Sequence, residues 1–275
     1  MRLVWLSFLG IAFILIPPQY VAASIDVLPQ CIPATRSQTT IIRIISSDTL
    51  ETASGLRVKL AAIETPRAMT SLKKQKTKSF AWRARKLLTR LALGRPVTLA
   101  FNTDEPDRYG RRIAHIFITS SKKTTYVWVQ AAMIKNGLAR AFPNTQKAPC
   151  IKSILVFEKD ARSKKVGLWK HRSYQVIQAD NLKHLNRNLG RLHLIEGRVH
   201  SVSVRRNRSY INFSKDWARD FTVTFNRRVH RLFTQSGLNI KELTGRRIRV
   251  RGWLDRHNGP TIKAYHAAQI EILKE

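Results

Sequence analysis

The chain predicts a mainly β protein with helices, of the α+β class, built as two small barrel-like units in tandem. Three observations carry this reading. Short β-rich segments recur from about residue 40, with one helical stretch inside the run and two after it. A second β-rich stretch begins at Leu192 and holds one short helix. The 275 residues are 43% apolar, too many for a disordered basic tail and enough for more than one core. At roughly 150 residues per domain, the length suits about two domains.

The elements follow in order. Thr40 to Ile45 is a β-rich run that ends at the Ser46-Ser47-Asp48 turn. Thr49 to Thr52 and Leu56 to Ile63 read as strands around Ser54-Gly55, and Pro66 stops the second. Residues 71–78 carry Lys73, Lys74, Lys76 and Lys78 and read as a solvated loop, its lysines either simply exposed or in contact with nucleic acid. A helix is expected from about Ser79 to Leu93, because Ala81, Ala84, Leu88 and Leu91 fall at helical spacing and Gly94 suits the position just past its end. Pro96 to Phe101 and Arg112 to Thr119 are strands joined through Asp107-Arg108-Tyr109-Gly110. Helices are expected over Val127 to Asn136, stopped by Gly137, and over Cys150 to Lys165, stopped by Gly167. Residues 172–190 read as a linker. Beyond it, strands are expected at Leu192 to Val204, Ser209 to Phe213, Phe221 to Phe225, Arg247 to Trp253, Thr261 to Tyr265 and Gln269 to Leu273, with a helix at Arg227 to Ser236. Asn258-Gly259 is a hairpin signal. Five or six strands with one helix in about 85 residues fit a second small barrel of OB type.

The first 23 residues have the form of a secretory signal. Arg2 precedes an apolar run from Leu3 to Ile16, too short for the ~20 residues of a membrane span. Pro17 and Pro18 break it, and Val21-Ala22-Ala23 sets small residues before Ser24, where cleavage is expected. Export to the periplasm or medium is the expectation, with no stable span after cleavage; an uncleaved amino-terminal anchor is the alternative. The organisation expected is therefore a signal (1–23), an amino-terminal segment (24–39), a first unit (40–171), a linker (172–190) and a second unit (191–275). Only Cys31 and Cys150 are present, an even count that suits an oxidising compartment. A disulfide between them is expected; two separate buried thiols are the alternative.

The chain holds 50 Lys+Arg against 17 Asp+Glu, a formal charge of +33. Such a surplus excludes an acidic scaffold and calls for a polyanion partner: nucleic acid, or anionic polymers of the cell envelope. The eight His residues show no H-E-x-x-H pattern, and no Walker or dinucleotide glycine pattern occurs.

Four ordered pieces carry a family resemblance: Ser47-Asp48-Thr49; Val58-Lys59-Leu60-Ala61-Ala62-Ile63-Glu64-Thr65-Pro66; Asp107-Arg108-Tyr109-Gly110-Arg111; and Gly137-Leu138-Ala139 followed by Glu158, Ala161 and Gly167-Leu168-Trp169. Together they make residues 40–170 resemble the thermonuclease (staphylococcal nuclease-like) family. The second unit is similar, more weakly, to the OB-type extension of some exported bacterial members, through Gly245-Arg246-Arg247 to Arg251-Gly252-Trp253. The resemblance implies an OB barrel with three helices, and hydrolysis of DNA and RNA phosphodiesters, typically with Ca²⁺. That chemistry uses guanidinium forks on phosphate oxygens, a hard cation held by carboxylates, and a carboxylate that activates water.

Carried over by position, the resemblance makes Asp48 and Glu64 metal carboxylates, Glu64 standing where the family usually has Asp, and Thr65 a backbone-carbonyl ligand; the alternative is a retained acid pair that bonds to Lys59 and Arg111 without metal. Arg111 becomes one phosphate clamp. Lys59 stands at the other, usually Arg, keeping the charge and losing the fork. Arg67 stands where the family has its water-activating glutamate. Arginine stays protonated and has no acceptor, so Arg67 cannot be a base, and loss of a general base typically costs 10²–10⁴-fold in rate. Glu51, the nearest spare carboxylate in sequence, is expected to face away from Asp48. Arg108 and Tyr109 are candidate nucleic-acid contacts; the alternative is that Tyr109-Gly110 serves only the turn. In the second unit Arg247, Arg249, Arg251 and Trp253 alternate along one strand, a comb of cations ending in an aromatic ring that would suit single-stranded nucleic acid. The reading is thus an exported nuclease-like protein with weakened catalysis, or a non-catalytic binder on the same fold.

Overall fold

The computed structural model describes residues 24–25, 31–67, 79–119, 126–143 and 145–274. The signal-like segment 1–23 and the lysine-rich stretch 71–78 lie outside the described residues. In chain order the strands of the first unit are β1 (Ser24–Ile25), β2 (Arg36–Ile44), β3 (Thr49–Thr52), β4 (Arg57–Leu60), β5 (Ile63–Glu64), β6 (Pro96–Phe101), β7 (Arg112–Thr119), β8 (Tyr126–Trp128) and β9 (Arg140–Ala141). Its helices are α1 (Phe80–Ala92), α2 (Val129–Lys135) and α3 (Ile151–Ser163).

β2, β3, β4, β7 and β6 pair in that order, and β6 pairs back with β2, so five strands close into a barrel with β8 and β1 beside β7. The barrel interior is the apolar face of each strand, among them Ile41, Leu50, Val58, Leu60, Leu99 and Phe117. Helix α1 starts where the Ser79 hydroxyl caps Trp82 N, and it buries Ala81, Ala84, Leu87, Leu88 and Ala92. Leu87 and Ala92 join the expected apolar stripe, and Leu91 sits at its edge. Helix α2 stops at Gly137, where α3's exit at Gly167 crosses it. A Cβ on Gly137 would lie 2.2 Å from Val166 O, and one on Gly167 would lie 2.4 Å from Gly137 O. Both glycines also have positive φ, so the two helix ends meet only because neither has a side chain.

One departure from the expected elements shapes the site. The run Leu56 to Ile63 is not a single strand. β4 ends at Leu60, Ala62 adopts a left-handed φ of 60°, and β5 then pairs with β9. The apolar stretch Leu60 to Ile63 does not show such a kink in its pattern, because Ala61, Ala62 and Ile63 are all buried. The kink turns Glu64 away from the barrel wall and sets it opposite Arg140.

The second unit comprises β10 (Ile177–Gln178), α4 (Leu182–Arg187), β11 (Leu192–Arg198), β12 (Ser201–Val204), β13 (Arg208–Asn212), β14 (Thr222–Asn226), α5 (Arg227–Gln235), β15 (Arg247–His257), β16 (Gly259–Lys263) and β17 (Ile270–Ile272). Its strands form one sheet ordered β10-β11-β15-β16-β14-β13-β12, with β17 also on β15, around a core that includes Ile195, Phe221, Phe225 and Val250. The expected strand Leu192 to Val204 divides at Val199-His200. Residues 172–190 are not a bare linker: they carry a short 3-10 turn at Arg172–Tyr174, then β10 and α4, and β10 joins the second sheet beside β11. Their polar, basic composition had hidden two short elements held by few apolar residues, chiefly Ile177, Ala179 and Leu185.

The two units meet over a small apolar cluster of Ala161, Leu168, Trp169 and Leu194. Inside the same contact, Arg251 Nη1 donates to Glu158 Oε2 at 2.6 Å and to the Ala141 carbonyl at 3.0 Å, while Ala141 N donates to Glu158 Oε1 at 2.7 Å. Both charged side chains are almost wholly buried, at 3% and 1% exposure. Arg140 reaches the Leu192 carbonyl, and the Tyr265 hydroxyl reaches the Pro143 carbonyl.

Cys31 and Cys150 form a disulfide, with Cα atoms 5.0 Å apart across a separation of 119 residues. No helix among the described residues is long and apolar enough to cross a membrane. Next to the disulfide lies buried His115. Trp128 Nε1 donates to its Nδ1 at 3.3 Å, and its Nε2 pairs with the Pro149 carbonyl at 3.1 Å, so the ring is held as one neutral tautomer. Burial pulls its pKa to about 4, and His193, buried beside Arg140, falls to about 3.

Three stability outcomes follow from this packing. Removing the disulfide by Cys31→Ser with Cys150→Ser should lower unfolding stability by about 4–5 kcal/mol in denaturant titrations. Glu158→Ala leaves Arg251 buried without a counter-charge and should cost about 3–5 kcal/mol; a loss below about 1 kcal/mol would mean the pair is not holding the contact. The buried histidines bind a proton less well folded than unfolded. Their contribution is therefore present above their ordinary pKa of 6.5 and is lost as pH falls through 4 for His115 and 3 for His193. Replacing His115 with Gln should flatten the acid limb of the stability profile by about 3 kcal/mol between pH 6.5 and 4.

Candidate functional site

Adjacent strands assemble the candidate residues on one side of the barrel. Thr49 and Lys59 are cross-strand partners on β3 and β4, and Leu60 N donates to the Asp48 carbonyl at 2.9 Å. This register sets Asp48, just before β3, against the Lys59 side chain. The Ala62 kink then brings Glu64 back to the same ammonium. Lys59 Nζ donates to Asp48 Oδ2 through a short contact and lies 3.3 Å from Glu64 Oε2. All three side chains are nearly buried, with exposures of 10–13%.

Further partners of the two carboxylates also come from within the chain. Asp48 Oδ1 accepts from Ser46 Oγ and Thr49 Oγ1, each at 2.9 Å. Burial raises the Asp48 pKa, but the Lys59 charge and hydrogen bond, with the two hydroxyls, outweigh it and hold the carboxyl below its ordinary 3.8. Arg67 Nη2 stands 3.9 Å from Glu64 Oε1. Thr65 is buried, and its hydroxyl pairs with Ser47 Oγ at 2.8 Å.

Arg111 is placed by the turn that precedes β7. The Asp107 carboxylate accepts from Tyr109 N at 2.9 Å, Arg111 N at 3.0 Å, Arg111 Nε at 2.9 Å and Arg111 Nη2 at 2.7 Å. Burial raises the Asp107 pKa; these bonds more than offset it, and the net shift is downward. Arg111 Nη1 donates to Thr49 Oγ1 at 3.2 Å, which sets the guanidinium beside Asp48. Arg111 is thus both a partner of Asp107 and a neighbour of the acid pair, and among the described residues two of its five N–H donors are left over. The guanidinium carbons of Arg108 and Arg111 lie 4.8 and 5.0 Å from the Tyr109 ring, which is 61% exposed. Glu51 pairs with Arg43 across β2 and β3 and takes no part.

The donor set does not fit calcium. A calcium ion takes six to eight oxygens at about 2.3–2.6 Å. Here the space between the two carboxylates is filled by the Lys59 ammonium, and a second cation, Arg67, flanks Glu64. No group of three or more His, Cys, Asp or Glu able to hold a metal occurs among the described residues. Asp48 and Glu64 are brought together, with Thr65 close by, but around a lysine.

The cationic comb of the second unit is dismantled. Arg247 is exposed. Arg249 is bound to its two cross-strand neighbours, Glu196 at 2.7 Å and Glu271 at 2.8 Å. Arg251 is buried against Glu158. Strand β15 turns this face toward the first unit and its own neighbours, so alternation did not mean exposure. Trp253 keeps its place in a different way: its ring carries the Arg67 guanidinium at 4.5 Å. The second unit therefore touches the rim of the site, and Arg67 lies between them.

Some contributors escaped the sequence reading. Ser46 and Thr49 supply hydroxyls to Asp48, and Arg140 stands opposite Glu64. Arg140 follows directly on Gly137-Leu138-Ala139 and could have been marked from that neighbourhood. Nothing in the sequence marked Trp253 as a neighbour of Arg67.

A profile of the family described as Staphylococcal nuclease homologue matches residues 57–171. Among curated relatives, Protein ParB of Escherichia coli is 30% identical over 155 residues, covering 54% of this chain and 81% of that protein. Micrococcal nuclease of Shigella flexneri is 28% identical over 135 residues, covering 47% of this chain and 71% of that enzyme. The matched region contains the closed barrel's β4, β6 and β7, the three helices and most of the site. With its five-stranded barrel and the acid pair beside Arg111, the chain belongs to the staphylococcal nuclease-like family.

Proposed function

We propose that this protein binds the phosphodiester backbone of nucleic acids at the Lys59–Arg111 face, and that its hydrolytic power is greatly reduced. The observation that carries the reading is the Lys59 ammonium held between Asp48 and Glu64. Two carboxylates that could hold a hard cation are committed to a lysine. The family's base slot holds Arg67, which has no acceptor for a proton. Arg111 retains two N–H donors for phosphate oxygens, Arg108 and Tyr109 extend the rim, and the charge of +33 supplies the long-range attraction. What the chain's residues do here is grip a phosphate and orient it; water activation has no group assigned to it.

The Cys31–Cys150 bridge supports work in an oxidising compartment, the periplasm or the medium. Fractionation of cells followed by thiol labelling would test this: recovery of the protein with both thiols free in the cytosol would refute it.

Purified protein incubated with plasmid and single-stranded DNA should bind with equal affinity in Ca²⁺ and in chelator. Binding should weaken steeply with salt as counterions return to the phosphates. Arg111→Ala should weaken binding about tenfold or more, since charge-assisted bonds contribute about 1.5–3 kcal/mol. Cleavage should be roughly 10²–10⁴-fold below that of family enzymes with a glutamate base. Rapid calcium-dependent cleavage that Asp48→Ala abolishes would overturn the reading.

A further inference from the structure

The segment expected to be a linker lines a cleft. Arg172, Lys183, His184, Arg187 and Arg191 surround a cavity of about 600 Å³, together with polar Ser and Asn side chains and, among the described residues, no carboxylate. None of these cations takes part in an ion pair among the described residues. Four permanent positive charges around one open cavity repel one another, and a bound anion relieves that repulsion. The cleft is wide and polar, which suits a chain of phosphates better than an apolar ligand.

Its position gives it a role. Trp253 is the cross-strand partner of Leu192 on β11, and Arg191 immediately precedes Leu192. Leu254 N donates to the Arg191 carbonyl at 2.9 Å, and Gly190 N donates to the Leu254 carbonyl at 2.7 Å. Residues 190–191 are thus strapped to β15 directly beside Trp253. Trp253 in turn carries Arg67, whose side chain is 76% exposed and whose other neighbour is Glu64 of the Lys59 pocket. From the other wall, Arg140 of β9 lies over the Tyr174 ring at 5.2 Å, two residues beyond Arg172. The Lys59 pocket, the Arg67–Trp253 stack and the basic cleft therefore follow one another along the seam between the two units.

We infer that this seam is a track for single-stranded nucleic acid: phosphates lie at Arg111 and in the 172–191 cleft, and a base stacks on the Arg67–Trp253 step between them. The inference rests on the phosphodiester-binding function proposed above and names its substrate class. A base can reach the open face of a guanidinium only if it is not already stacked in a duplex, which selects single strands.

Fluorescence anisotropy of the full chain in chelator, over a range of salt, with labelled dT4, dT16 and a 16-base-pair duplex, tests it. In the wild type dT16 should bind more tightly than dT4 and than the duplex. The triple variant Arg172→Ser, Lys183→Ser, Arg187→Ser alters exposed side chains only. It should bring the dT16-to-dT4 affinity ratio toward one and lower the dT16 salt slope by about 2, at roughly 0.7 per phosphate lost. Trp253→Ala should weaken dT16 about tenfold, with Trp253→Phe recovering part of it. A wild type that binds no probe would refute the phosphodiester-binding function itself. A wild type that binds, with ratio and slope unchanged in the triple variant, would refute the track while leaving that function standing. Duplex bound as tightly as dT16 would refute the single-strand selection.

Discussion

The buried pair of Glu158 and Arg251 holds the arrangement on which the site depends. Glu158 comes from α3 and Arg251 from β15, 93 residues apart, and between them they bond both the N–H and the carbonyl of Ala141. Ala141 belongs to β9, whose partner strand β5 carries Glu64. One ion pair thus fixes the second sheet, the strand that turns Glu64 inward, and the helix behind both. Burying two charges is costly unless each finds full hydrogen bonding. Here the carboxylate accepts from Ala141 N and Arg251, and the guanidinium also donates to a carbonyl. These shared bonds lie beside the small apolar cluster of Trp169 and Leu194.

The candidate site is an exercise in charge neutralisation within the chain. Two carboxylates brought close in a poorly hydrated place repel each other, and some cation must lie between them. In this protein the cation is covalently part of β4. The register of β3 on β4 places the Lys59 side chain next to Asp48, and the Ala62 kink returns Glu64 to it. A lysine ammonium is a compact point charge with three donors, so it can bridge two carboxylates. It does not offer the open coordination positions that bind a phosphate oxygen and a water together.

The second unit contributes at the edge of this pocket. Its most conspicuous sequence feature, the alternating arginines of β15, is largely consumed in structural pairs: Arg249 satisfies Glu196 and Glu271, and Arg251 satisfies Glu158. Positive charge that stays open to solvent near this pocket lies on the segment between the units and on Arg67.

The first unit's fold could be read from the sequence because its signals are local. Alternating apolar residues, the Ser79 cap and the glycines at 137 and 167 mark strands and helix ends through their own backbone preferences. The ordered motifs around Asp48, Glu64 and Arg111 likewise marked the candidate site, and the two cysteines were paired correctly. Long-range geometry decided the rest. Leu60 to Ile63 is apolar throughout, so only the pairing of β5 with β9 reveals the kink at Ala62. Residues 172–190 look like a linker because a few apolar anchors suffice once the second sheet is there to receive them. The alternation of Arg249, Arg251 and Trp253 was correctly a strand pattern, but a strand has two faces, and which one meets solvent depends on what packs against it. The sequence determined which residues carry charge and which segments form elements; only tertiary packing, within each unit and between them, decided which charges neutralise one another and which remain open to a ligand.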